Sequence, residues 1–453
     1  MTTTVRLVRV PAGDQINLDV PLSGAWQRYY DAQRARMIEA LGHADFISAD
    51  AETYRKNSAQ PVSSMQQDLS YVVVLADDVG AGGAGERAAG ELGADDLPAE
   101  SPAFVVEAPE VAEEAGNDAD TSSVAAEFDA LDPAHIVGLM EVVLPLASNL
   151  DQGWLDVWVD PVRRRRGLGS RLIDVGRDMI LAAERTRIGA WTVGKTIEVD
   201  APNAARPLQG PGALDCEAGA TGFLLRRGFG LVMVERFSGL TKLDDPDRRA
   251  ALTEHMRELA DGLADHYRDE YELVHYSGAT PDELVDDVAA MYTEFSADIP
   301  KGDDEEPTTF TAEKVREIDQ RMLTRNLTSY TTAVRHVPSG RLVAYTTIVR
   351  RTTSVGATQE DTWVHREHRG HRLGMTIKLA NLERFLAVSA EEAQQRGLPV
   401  ERLVTWNAEV NSHMWAINEQ LGFEVLGAEG SWSTYYRDGS WHSTRDSSSL
   451  ARA

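Results

Sequence analysis

Two segments, VWVDPVRRRRGLGSRLI (residues 157–173) and TWVHREHRGHRLGMTIK (residues 362–378), align without a gap. Trp158 meets Trp363, Val159 meets Val364, Arg164 meets Arg369 and Gly169 meets Gly374. A second pair follows in the same order, RRGFGLV and QLGFEVL, matching Gly228-Phe229 with Gly422-Phe423. Two anchors in one order mark a domain-sized internal repeat, so the chain builds one plan twice. Its 453 residues suit two or three domains of ordinary size.

The apolar periodicity predicts the same element order in each repeat. VRLVRV (Val5–Val10), SYVVVLAD, AHIVGLMEVVLP, GWLDVWVDP and IGAWTV read as strands of the first repeat. GAWQRYYDAQRARMIEALG and the stretch from Gly169 to about Arg185 read as helices. The second repeat restarts with the strand YELVHYSG and the helices PDELVDDVAAMYTEFSADI and TAEKVREIDQRMLTRN. A hairpin around Pro338-Ser339-Gly340, the strand GATQEDTWVHRE, a long helix and the strand RLVTWN follow. The expected organisation is a first domain over 1–239, a polar helical connector over 240–271 and a second domain over 272–453.

One segment departs from this plan. Residues 77–132 hold sixteen Asp or Glu and one basic residue, Arg87, and contribute −15 of the formal net charge of −27. Gly, Ala, Pro and acids with few large hydrophobes cannot bury enough surface to offset the entropy of ordering, so the segment is expected to be mostly disordered. Phe104–Ala108 (FVVEA) is the one candidate strand inside it. An acidic chain argues against a nucleic-acid partner. No apolar run approaches a membrane span and no basic-then-apolar leader opens the chain, so a cytoplasmic location is expected. The single Cys216 cannot form an internal disulfide, in keeping with a reducing compartment.

In both anchors a strand runs into a basic, glycine-bearing turn and then into a helix. Helix starts present unpaired N–H groups and partial positive charge, and glycine lets the backbone approach an anion closely. The motifs are R-x-x-G-x-G at Arg164–Gly169 and R-G-x-R-x-G at Arg369–Gly374. Neither a Rossmann G-x-G-x-x-G nor a P-loop Gly-Lys-Ser/Thr is present at these turns. His365, His368 and His371 are three apart, but arginines surround them and would repel a cation, so no metal is expected.

This combination resembles the GNAT acetyltransferase superfamily, whose pyrophosphate turn follows a V-x-V-x-P strand. VWVDPVRRRRGLG matches throughout, while TWVHREHRGHRLG carries Arg366 for the proline and Arg372 for the first motif glycine. The second departure costs little if Arg372 has ordinary helical dihedrals, since its N–H survives. The tandem arrangement resembles actinobacterial two-domain members such as mycothiol synthase. The resemblance implies an α/β (α+β) fold of two tandem domains, each a mixed, mostly antiparallel twisted sheet flanked by helices.

The resemblance also implies acetyl-CoA as cosubstrate and a small primary amine as acceptor, with direct attack in a ternary complex. The diphosphate would lie on Val364, Arg369, Gly370, His371, Arg372, Leu373 and Gly374, or on Val159, Arg164, Arg165, Arg166, Gly167, Leu168 and Gly169. Asn407 and Asn411 would meet the rest of the cofactor, although either can equally serve as a helix cap. The family's proton-donating tyrosine falls on Asn418 in the second repeat and on Leu224 in the first. An amide is no acid near neutral pH, so the thiolate would take its proton from water or from a tyrosine elsewhere such as Tyr435 or Tyr436. Glu360 and Asp361, just upstream of the turn, are candidates to take the acceptor's proton. Strand alternation would put only one of them on the Thr362-opposed face, and an N–H at the family's bulge would stabilise developing negative charge. The second repeat is favoured as catalytic. A non-catalytic CoA-binding scaffold, or a protein acetyltransferase docked through residues 77–132, are the competing readings.

Overall fold

The computed structural model describes residues 3–44, 47, 50–59, 66–75, 104–107, 121–146, 148–194, 196–263, 270–298, 308–408 and 411–444. The first repeat supplies strands β1 (Thr3–Arg9), β2 (Gln66–Leu75), β3 (Phe104–Glu107), β4 (Ile136–Pro145), β5 (Gln152–Val159) and β6 (Arg187–Gly194). A small pair, β7 (Ala204–Ala205) and β8 (Leu214–Asp215), precedes the long β9 (Gly230–Thr241). The second repeat supplies β10 (Tyr271–Ser277), β11 (Leu327–His336), β12 (Leu342–Arg351), β13 (Gly356–Val364), β14 (Arg402–Ala408), β15 (Glu424–Arg437) and β16 (Ser440–Ser443). Helices are α1 (Gly24–Leu41), α2 (Ala51–Ser58), α3 (Thr121–Asp129), α4 (Leu168–Ala182), α5 (Gly219–Arg226) and α6 (Pro246–Leu263). The remainder are α7 (Val285–Asp298), α8 (Ala312–Thr324), α9 (Leu373–Arg396) and α10 (Ser412–Gln420).

The architecture is mixed α/β, with one mostly antiparallel sheet ordered β10-β11-β12-β13-β14-β9-β15-β6-β5-β4-β2-β1-β3 and β16 paired to β15. This order contains a reciprocal exchange. The last long strand of the first repeat, β9, lies antiparallel to β14 of the second, with Leu240 opposite Leu403. The last long strand of the second repeat, β15, lies antiparallel to β6 of the first, with Trp432 opposite Ala190. The two exchanged strands also pair with each other. Each core therefore contains residues of the other repeat. Trp432 is buried in the cluster around α4, and its indole donates to Thr192 Oγ1 at 2.9 Å. Leu240 and Leu243 are buried with Leu403 and Phe423.

Helices cover both faces in each half. In the first, Leu172, Ile173, Met179 and Ile180 of α4 line one face, and α1 packs Trp26, Tyr29 and Ala32 on the other. In the second, α9 packs Met375, Leu379 and Phe385 on one face, while Val288, Met291 and Val315 of α7 and α8 cover the opposite one. The segment read as a connector holds α6, and Leu252 and Met256 on it are buried against the α9 cluster. That helix is a core element of the second half, and β9 runs to Thr241, past the expected boundary at 239.

Within residues 77–132 the candidate strand at Phe104–Ala108 forms over Phe104–Glu107, and the expectation of disorder needs correction at one helix. β3 pairs parallel with β1, and α3 is ordered through Phe128. That ring is fully buried, 5.1 Å from Trp26 and edge-on to it, with Tyr29 at 6.3 Å. Composition averages over a segment and hides a single aromatic that has a ready pocket. Residues 77–103 and 108–120 lie outside the described residues. Among the described residues no helix is long and apolar enough to cross a membrane.

Because each half needs a strand of the other, fragments 1–244 and 245–453 are expected to fold poorly alone. Expressed separately, each should lack a cooperative thermal transition, and co-expression should restore one. Two independent sharp melts would show that the exchange is dispensable.

Candidate active site

The two turns superimpose in geometry as well as in sequence. Each strand ends in a 3₁₀ turn, Pro161–Arg163 or Arg366–His368, capped by the side chain of Asp160 or His365. Each chain then visits the left-handed region twice. Arg165 and Gly167 have φ of 62° and 85°, while Gly370 and Arg372 have φ of 86° and 57°. The glycine and the arginine have traded places between the halves. Arg372 therefore does not meet the condition under which its departure from glycine would cost little, and a left-handed arginine costs about 1 kcal/mol. Successive residues alternating in this way turn their N–H groups to one side, which is an anion-binding concavity. The N-cap residues Gly167 and Arg372 provide no side-chain cap, so the helix starts add their own N–H groups and dipole. Gly169 and Gly374 serve packing instead: a Cβ on either would reach Phe223 or Ile417 within 3.5 Å.

The arginine side chains do something other than expected. Arg164 Nε donates to Val159 O at 2.8 Å, and Arg369 Nε donates to Val364 O at 3.0 Å. Their outer nitrogens meet carboxylates on distant helices, Glu39 of α1 at 2.6 Å and Asp298 of α7 at 2.9 Å. The same carboxylates accept from the repeated tryptophans, Trp158 at 3.2 Å and Trp363 at 2.9 Å. Each half thus contains a Trp–carboxylate–Arg bracket that ties the turn to the helix layer. Arg164 and Arg369 hold the turn's shape rather than offer free charge. Arg164 holds Glu39 below its ordinary carboxylate value. Burial opposes the same shift at Asp298, but Trp363, Arg366 and Arg369 outweigh it. Arg165, His371 and Arg372 are exposed at the turns, and Leu168 and Leu373 are buried beneath them. The Tyr271 hydroxyl meets His368 Nδ1 at 3.0 Å, and among the described residues no set of three metal-ligating side chains converges.

Above each turn a parallel strand pair parts after three residues, Gln152–Trp154 with Arg187–Gly189 in the first half, and the halves differ in what lines the gap. β13 and β14 pair over Gly356–Thr358 and Arg402–Val404 only, then diverge. A cavity of about 420 Å³ opens between them, lined by Glu360, Asp361, Asn407, Asn411, Lys378 and the exchanged Glu235 among others. Thr405 Oγ1 donates to Gln359 O at 3.1 Å where the strands part. On its other side β13 pairs Thr362 with Thr346 and Gln359 with Ile348, so two residues, Glu360 and Asp361, oppose the single Thr347. This is a β-bulge. The buried Gln359 amide braces it, donating to Thr347 O at 2.9 Å and Glu360 O at 3.1 Å. The bulge breaks the alternation expected of Glu360 and Asp361, and both face the cavity. Partial burial in the cleft raises both carboxyls, although each keeps a solvent-exposed side, and Asp361 raises Glu360 further. The Tyr345 hydroxyl lies 3.5 Å from Asp361.

In the first half β4 and β5 pair without a register shift, so no bulge forms. Trp154 occupies the position of Gln359, and its ring fills the space that a Cβ on Gly189 would need. It stacks on Trp191 of β6 with centroids 3.8 Å apart. Asp156, the counterpart of Asp361, is paired with Arg36 at 2.9 Å. Residues of the β7–β8 insertion, Ala205 and Leu214, are buried in that half's core.

The remaining predicted residues divide. Asn407 lines the cavity, and Asn418 Nδ2 donates to Asn407 Oδ1 at 2.7 Å. Asn418 is itself buried and absent from that cavity's wall. Asn411 both lines the cavity and caps α10, accepting from Met414 N at 3.3 Å. Tyr435 is not brought to the site: it pairs with Arg187 and stacks on His442 at the far end of β15. It lies six residues, or about 20 Å of strand, beyond Glu429. Tyr436 packs on Trp441. Sequence reasoning missed Glu39, Asp298, Gln359, Glu235 and Lys378, none of which carries a motif.

No family model and no curated protein sequence matches the chain. In structure it is similar to a tandem GNAT protein from the clavulanic acid biosynthesis pathway, at a TM-score of 0.57 and 22% identity, covering 96% of this chain and 100% of that one. It is also similar to a GCN5-related N-acetyltransferase from Sphaerobacter thermophilus, at a TM-score of 0.41 and 14% identity, over 71% of this chain and 88% of that one. A third similarity is to a GCN5-related glucosamine N-acetyltransferase region of a fungal multi-domain β-N-acetylglucosaminidase. There the TM-score is 0.48 and the identity 11%, over 96% of this chain and 38% of that one.

Arg372→Gly is expected to raise stability in urea unfolding by up to about 1 kcal/mol, the left-handed strain less the added freedom of the unfolded chain. Glu39 and Asp298 have folded pKa values below their unfolded ones. Their contribution is full above the unfolded value of about 4 and disappears as pH falls through the folded values. Glu39→Gln and Asp298→Asn should therefore lower the melting temperature at neutral pH and lose that deficit in acid.

Proposed function

We propose that this chain, which has the tandem GNAT fold, is an acetyl-CoA-dependent N-acetyltransferase acting in its second half on a primary amine of a small molecule. One observation carries the reading: both halves have the N–H concavity and parallel strands that part after three residues, and only the second adds a bulge bearing two carboxylates. The fit is a matter of shape and donors. N–H groups over Gly370–Gly374 suit a diphosphate, and beyond Thr358 the facing edges of β13 and β14 are free of each other to take an extended amide-bearing arm.

Acetyl-CoA would bring an activated acyl group to the bulge. The chain's own residues then bind, orient and move protons. Asn407, fixed by Asn418, offers an amide to the arm. Glu360 and Asp361, raised by their setting, are suited to take the proton that an ammonium acceptor must lose. Holding both reactants supplies most of the acceleration through positioning. The first half, with Trp154 stacked on Trp191 and Asp156 engaged by Arg36, serves as a wall and as donor of β9.

Isothermal titration is expected to find one acetyl-CoA per chain. A CoA-release screen over aminoglycosides, polyamines and cysteinyl glycosides should then find an acceptor. On that acceptor, Asp361→Asn or Glu360→Gln should reduce kcat by about 10² or more with little change in acetyl-CoA affinity. The wild-type rate should fall with decreasing pH earlier than an ordinary carboxylate would dictate. Binding without release across the panel would favour a non-catalytic CoA-binding protein, and no binding would remove the reading.

A further inference from the structure

Lys378 stands on α9 one turn inside the helix that begins at the Gly370–Gly374 turn, and only 2% of it is exposed. Its counterpart in the gap-free alignment is Ile173, a plain core residue of α4. The second half thus buries an amine where the first buries a hydrocarbon. A buried ammonium is costly unless something compensates it. Among the described residues Lys378 makes no ion pair. Its Nζ meets only Met414 Sδ at 3.7 Å and the face of Phe423 at 5.8 Å from the ring centre. Yet it lines the cavity between the diverging strands, together with Trp406 and Asn407. Among the described residues the ionisable groups facing that cavity are Glu235 from β9, Glu360 and Asp361 from β13, and the paired Asp298 and Arg369 at the rim; Met414 of α10 adds no charge.

Resting on the reading above, we propose that Lys378 is the proton donor to the sulfur of CoA in this cleft. It takes the task for which Asn418 has no acid and for which Tyr435 is out of reach. In the balanced step the acceptor's amine nitrogen bonds to the acyl carbon as the carbon–sulfur bond breaks. The sulfur leaves with the bond's electron pair and receives a proton from Lys378 Nζ. The nitrogen's proton passes to Glu360 or Asp361 and on to solvent, from which Lys378 is reprotonated. Burial lowers Lys378 to about 7, which makes its proton easier to give up than an ordinary ammonium's, and a thiolate forming beside it in turn favours the charged amine. The same burial leaves a fraction of the amine charged near neutral pH, which a donor requires.

The test needs no acceptor. Free CoA is bound to the full-length protein and the thiolate's ultraviolet absorbance is followed against pH, in the wild type and in Lys378→Met. In the wild type, thiolate should appear at a pH lower by about one unit or more than in the variant, because a neighbouring ammonium favours it. The variant should bind CoA within about threefold of wild type, since a methionine keeps the packing. A wild-type thiol that titrates as CoA does in free solution overturns the proposal without recourse to any variant. Identical thiol titrations in the two proteins overturn it equally, and acetyl found on Lys378 by mass spectrometry after incubation with acetyl-CoA would make it an acceptor, not a donor. Failure of the wild type to bind CoA would instead remove the functional reading itself.

Discussion

The backbone ladder between β9 and β15 is the constraint on which the rest depends. Without it β9 and β15 would each present an unpaired edge, and nothing in the sheet would join the two halves. Because the ladder joins strands from different repeats, it also delivers side chains across the repeat boundary. Glu235 reaches the cavity of the second half this way, and Glu429 lies directly opposite it. Burial and the neighbouring Glu235 push Glu429 up to about 7. The exchange thereby places an acidic wall beside the site.

The two halves show how one plan supports unequal outcomes. Both keep the turn and its bracket, since these depend on an arginine, a tryptophan and one carboxylate from the preceding helices. The split comes at the strand pair. One shifted residue on β13 makes a bulge and turns two carboxylates inward, while in-register β5 leaves Asp156 to an ion pair. Trp154 then closes by stacking what Gln359 holds open by hydrogen bonding. Small local differences thus decide whether the gap between the parallel strands stays open or is covered by stacked rings.

Several residues were legible before any coordinates. The turns over Arg164–Gly169 and Arg369–Gly374, the Gly-Phe anchors, and the cavity-lining Glu360, Asp361, Asn407 and Asn411 all follow from spacing and from the resemblance it carries. Others left no trace. Glu39 and Asp298 lie 125 and 71 residues from the arginines they bind, and each looks like any helix acid. Lys378 ends the run GMTIK and passes for a solvated helix residue. Tyr435 was a reasonable substitute acid by residue type, but its strand runs away from the site. Arg372 shows the limit of dihedral inference, for its partner position in the first half is the glycine that left-handed backbone favours.

What the residues alone determined is periodic and local: the strand-turn-helix unit, its repetition, and the donors that a helix start presents to an anion. These are properties of neighbouring backbone groups and need no distant partner. What only the tertiary structure decided is which strand lies beside which. Strand pairing is set by burial across the whole sheet, and from that pairing came the exchange, the bulge facing inward, and a lysine with no carboxylate beside it among the described residues.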